Sequence, residues 1–154
     1  MSVKTKTIKA FAQIGFDRLE NATKDLSEAQ LDWKSCTEAN TIRWNLTHLN
    51  SELYGFVPKI LTGNKDYTPA GWPEDYVGNK SYSLEKIMKD YETGKAKLLK
   101  SLDEVSEDDL AKEMDWFYGK APREKYLLLA ISEIIHHEGQ IAAILGVEKR
   151  MQGT

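Results

Sequence analysis

The sequence predicts an all-α protein, a four-helix bundle formed by one domain over residues 1–154. Three observations lead there. Four long segments repeat apolar residues at steps of three and four, the period of a helix with one buried face. The connections between them are mostly modest in length, as in a bundle. No stretch alternates apolar and polar residues in the way a half-buried strand does.

Residues 4–25 form the first segment, with Ile8, Phe11, Ile14, Phe16 and Leu19 near helical spacing. Ser27 then offers its hydroxyl as the cap of a short turn, S-E-A-Q-L. Residues 33–40 have no period and read as a loop. The second helix spans residues 41–62, closed by Gly63, with Ile42, Leu46, Leu49, Leu53, Phe56 and Ile60 as its core stripe. Pro58 is expected to kink it or end its regular part early. Trp44, His48 and Glu52 flank that stripe, each one turn from the next, the position of residues that line a cleft.

Residues 64–82 contain Pro69, Gly71, Pro73 and Gly78, which oppose a continuous helix. Tyr67, Trp72, Tyr76 and Tyr82 make the stretch too aromatic for a disordered linker, so it reads as a lid or wall of a cleft. Ser83 caps a third helix over residues 84–102, without a capping box because Lys86 holds the N3 position. An acidic connection follows, in which Ser106 can cap a short helical turn. Residues 115–121, D-W-F-Y-G-K-A, are aromatic and turn-like, and Pro122 suits the first turn of the last helix. That helix is expected to run to about residue 145 and stop at Gly146.

Composition narrows the function classes. A net charge of −3 gives no electrostatic case for nucleic acid, which needs a basic face. The single cysteine, Cys36, excludes an internal disulfide framework and suits a reducing compartment. Nor does the chain pair Cys36 with an activating neighbour in sequence. No segment approaches the roughly 20 apolar residues of a membrane span, and the first residues do not resemble a signal peptide. The expected location is the cytoplasm, with no nucleic-acid or membrane partner.

The chemistry concentrates on the last helix. At about 100° per residue, Ala130, Glu133, His137, Ile141 and Ile144 share one stripe, so two polar groups sit in an apolar face. Each costs roughly 1–3 kcal/mol to bury without a partner. A divalent metal is one such partner, because side chains four residues apart on a helix converge. A Glu–His pair at this spacing recurs on many helices, so the metal reading needs a third ligand. His48 supplies it, giving two imidazoles and a carboxylate: His48, Glu133 and His137. Three protein ligands leave room for water or substrate, and the donor set suits zinc, nickel or ferrous iron. Glu52 is a spare carboxylate, although a solvated face explains it equally. His136 lies about 100° around from His137 and reads as an outer or surface group. Trp33, Trp44, Trp72 and Trp116 read as packing residues.

The segments T-I-R-W-N-L-T-H-L-N (residues 41–50) and H-H-E-G-Q-I (residues 136–141), with D-L-S-E-A-Q-L-D-W-K before them, resemble the DinB/YfiT-like superfamily. The resemblance extends over nearly the whole chain. It implies a dimeric four-helix bundle holding a divalent metal, often nickel or zinc, through one histidine on the second helix and an H-x-x-x-H pair on the last. By position these fall at His48, Glu133 and His137. Glu133 stands where the family usually has histidine, and Glu138 where it has arginine, so this chain departs from the pattern twice. The resemblance also implies a metal-dependent enzyme acting on a small molecule, either a hydrolase or a transferase of low-molecular-weight thiols. The alternative is a non-catalytic, stress-associated module with a degenerate site that works through dimerisation or sequestration.

Overall fold

The computed structural model describes residues 2–153. Four helices carry the architecture: α1 (Val3–Thr23), α2 (Ile42–Ser51), α4 (Leu84–Glu104) and α6 (Arg123–Met151). A π-helical turn (Glu52–Phe56) extends α2 into α3 (Val57–Thr62), and α5 (Glu107–Ala111) lies between α4 and α6. In cross-section α6 packs on α1 and α2, and α4 packs on the same two helices, closing a four-membered ring. The all-α expectation is met, with one small addition. Strands β1 (Glu113–Trp116) and β2 (Gly119–Pro122) form an antiparallel hairpin.

The helices start where short polar side chains can satisfy free backbone donors. Ser2, Thr41, Ser83 and Ser106 each accept a backbone N–H three residues on. Residues 33–40 stay irregular, as expected, and Gly63 ends α3 in the left-handed region at φ 70°. The core stripes fill the ring: Phe16, Leu19, Leu46, Leu98, Leu127 and Ile134 are fully buried. Burying each of these large apolar side chains contributes about 1.5–3 kcal/mol.

Four details depart from the periodic reading. Ile14 is exposed, and Gly15 is buried in its place, where a Cβ would stand 3.2 Å from Ile134 Cγ2. The small residue lets α1 approach α6 closely. Phe56 is also exposed and Val57 buried instead, because the π turn inserts extra backbone and shifts the helical phase locally, while Ile60 stays buried as expected. That turn precedes Pro58, whose ring clashes with the carbonyl four residues back in a regular helix. The wider turn relieves the clash, so the helix continues through Pro58.

The hairpin was not legible as strands, since four residues of mixed aromatic and polar character show no clear alternation. Met114 and Ala121 face inward as cross-strand partners, and Gly119 takes φ 80° at the turn. The Tyr126 hydroxyl donates to the Gly119 carbonyl and accepts from the Tyr118 N–H at 3.3 Å, fastening the turn to α6. Finally, α6 does not stop at Gly146 but runs to Met151. Buried Glu148 accepts from Gln30 Nε2 at 2.9 Å, and this anchor offsets the roughly 1 kcal/mol by which glycine weakens a helix.

Candidate metal centre

α2 and α6 face each other across the bundle, and their polar residues meet at one point. His48 Nε2, Glu52 and His137 each offer a ligand atom, and these atoms lie within 4.8 Å of one another. His48 comes from α2, Glu52 opens the π turn, and His137 sits midway along α6. The Trp44 indole stacks on the His48 ring at 4.7 Å and nearly parallel, which fixes its plane. The His48 ring in turn meets His137 edge-on at 5.0 Å.

The tautomer of His137 follows from its neighbour. Asn45 Nδ2 donates to the Thr41 carbonyl at 2.9 Å, which turns Asn45 Oδ1 toward His137. That oxygen lies 2.8 Å from His137 Nδ1, so Nδ1 carries the proton and donates it. His137 Nε2 is left as a bare lone pair, buried and without a hydrogen-bond partner, and Glu52 Oε2 is in the same state. Buried polar atoms without partners cost free energy unless something supplies a bond. Two of them converging with an imidazole fit a divalent cation.

Electrostatics agree with a neutral ligand at His137. Burial, together with the like charges of His48 and His136, pushes its pKa down to about 4. His48 moves the other way: a bond from its ring to Glu52, whose Oε1 is 3.4 Å from Nε2, raises its pKa against the opposing effect of burial. Metal binding at His48 therefore competes with a proton.

The residues named from sequence are distributed unevenly. His48 and His137 come together as expected. Glu133, half-exposed, approaches His137 Nε2 at 3.7 Å but stands outside the tightest group, where Glu52 takes the carboxylate position. The signal for Glu52 was present, since it follows His48 by the same four residues that separate Glu133 from His137. Asn45 went unremarked, one turn before His48. His136 is exposed and lies 2.9 Å from Gln140 Nε2, consistent with a surface group. Glu138 acts away from the histidines. Its buried carboxylate accepts from Arg18 Nε and NH2 at 3.0 and 2.7 Å, tying α1 to α6. The 64–82 loop walls a cavity of about 390 Å³ beside α3 and α4, away from the histidines. It touches the centre only indirectly, where the Gly78 N–H donates to Thr47 Oγ1 at 2.8 Å and Gly78 packs behind Trp44.

The fold and the site define a class: a helical bundle in which two histidines and a carboxylate from facing helices form a cluster able to hold a metal. A sequence model of the DinB superfamily matches residues 13–141, most of the chain. The chain belongs to the DinB superfamily. A conserved protein of Enterococcus faecalis, known from its crystal structure, is similar in fold with a TM-score of 0.70 over 94% of this chain and 95% of that one, at 16% identity. No curated protein matches the chain by sequence. Among the described residues no helix is long and apolar enough to cross a membrane.

Proposed function

We propose that the protein is a metal-dependent enzyme acting on a small molecule, of the thiol S-transferase or hydrolase type suggested by its family resemblance. One observation carries the reading: the buried, partnerless His137 Nε2 and Glu52 Oε2 converge with His48 at the edge of a cavity that Glu52 and Glu133 both line. His48, His137 and a carboxylate hold the ion, with Glu52 in the better position and Glu133 the neighbouring candidate. A divalent cation bound there supplies Lewis acidity, which brings the pKa of a water or thiol toward neutrality. Asn45 orients His137, Trp44 orients His48, and the aromatic residues of the cavity give a substrate an apolar surface beside the ion. The donor set suits zinc, nickel and ferrous iron alike, and the family resemblance favours nickel or zinc among them. The same resemblance supports a homodimer, while chain length supports a single domain over residues 1–154, and composition with the single cysteine supports a cytoplasmic location.

The test is elemental analysis of purified protein, repeated after chelation and re-addition of nickel or zinc. The expected outcome is near-stoichiometric metal in the native chain, lost in His137→Ala and Glu52→Ala while both variants remain folded. Loss in Glu133→Ala instead would make Glu133 the carboxylate ligand. A native protein that refuses both metals would remove the enzyme reading and leave a non-catalytic binding module.

A further inference from the structure

Beside the centre, between the π turn, the hairpin and α6, lies a cavity of about 110 Å³. Half of its lining is aromatic, from Phe56, Trp116, Phe117, Tyr118 and Tyr126, and Ile60, Leu129 and Ala130 add an aliphatic side. Phe117 stacks on Trp116 at 4.5 Å and on Phe56 at 5.5 Å, so the rings form a continuous surface. The Tyr126 hydroxyl is occupied by the hairpin backbone, which leaves its ring as the lining. The charged side chains among the lining residues are both carboxylates, Glu52 and Glu133. Nearby cations on this side are engaged elsewhere: Lys65 Nζ donates to the Asp115 carbonyl at 3.1 Å, and Lys120 pairs with Glu113 at 2.7 Å.

Aromatic faces carry partial negative charge, and carboxylates add to it. A cavity so lined attracts a cation and opposes an anion. Apart from the two carboxylates its lining is aromatic or aliphatic, a surface that suits a methylated ammonium, which is weakly hydrated and gains from ring contact. At roughly 10–15 Å³ of such cavity space per water, the cavity holds several waters, room enough for a small headgroup. With Glu52 engaged by a metal, Glu133 remains to face that group.

We propose that this cavity recognises a methylated ammonium group on the substrate. The inference rests on the metal-centre reading for its link to catalysis, but binding of the cation itself does not require the ion. Choline and its neutral carbon analogue, 3,3-dimethyl-1-butanol, separate charge from shape. Both are titrated into chelator-treated full-length protein while the Trp116 indole resonance is followed by NMR, and zinc is titrated into the same preparation separately. Choline is expected to bind at least about tenfold more tightly than the alcohol. Glu133→Gln and Phe117→Leu (a change at the exposed hairpin tip that spares the core) should each weaken choline about three- to tenfold without moving the alcohol. Equal affinity for the two probes, or no response to choline, overturns the proposal. Zinc uptake without choline preference would sink the cation site alone, and choline preference without zinc uptake would sink the metal reading alone.

Discussion

Arg43 and His48 sit five residues apart on α2, yet the polar clusters around them are completed to different degrees. Around Arg43 each guanidinium nitrogen has an acceptor. Nε and NH2 reach Asp32 at 2.9 Å each, NH2 reaches Glu28 at 3.3 Å, and NH1 donates to the Tyr82 carbonyl. Glu28 also accepts the Leu84 N–H at 2.7 Å, placing a negative charge at the start of α4. The cluster thus joins the turn at Glu28–Gln30, α2, the end of the 64–82 loop and α4. Around His48 the counterpart atoms on His137 and Glu52 lack partners. A saturated cluster has no capacity left for a ligand and reads as structure. An unsaturated one keeps buried bonding capacity that only an added group can use.

The sharpest way to break this contrast is to empty the saturated side. Arg43→Ala should lower stability by about 2–4 kcal/mol, since it removes a buried stem and leaves its acceptors unpaired. Urea unfolding measures it, and a loss below about 1 kcal/mol would mean the cluster does not fasten those segments.

On the unsaturated side, pH acts next. In metal-free protein the folded-state pKa of His137 is about 4 against an ordinary 6.5. The unfolded chain therefore takes up a proton that the folded one refuses, and stability should fall as pH drops from about 6.5 toward 4. His48, with a raised pKa, contributes in the opposite sense: its stabilisation is complete below 6.5 and fades as pH rises through its folded value. Thermal melts of chelated native protein and His137→Gln across this range isolate the His137 part, and the variant should lack the acid-side decline. Parallel curves would show that His137 is not the group responsible.

The smallest effect concerns orientation. Asn45→Ala removes the acceptor for His137 Nδ1 without touching a ligand atom, and should weaken zinc affinity about 10–100-fold. Competition titration against a chromophoric chelator measures this, and unchanged affinity would mean that packing alone holds the ring.

Sequence periodicity alone determined the four-helix class, because a buried face repeats every three or four residues whatever it packs against. It also brought out His48 and His137, polar residues at or beside apolar stripes. Position along one helix could not choose between Glu52 and Glu133, which stand in the same four-residue relation to a histidine. That choice depends on the distance between α2 and α6. The π turn at Glu52–Phe56 shifts the helical phase, so Phe56 leaves the core and Val57 enters it. The hairpin carries too few residues for a detectable period, yet it supplies Trp116 and Phe117 to the cavity. Local pattern specifies which residues are buried. Which buried polar atoms find partners, and which are left open to a ligand, is decided when separate helices meet.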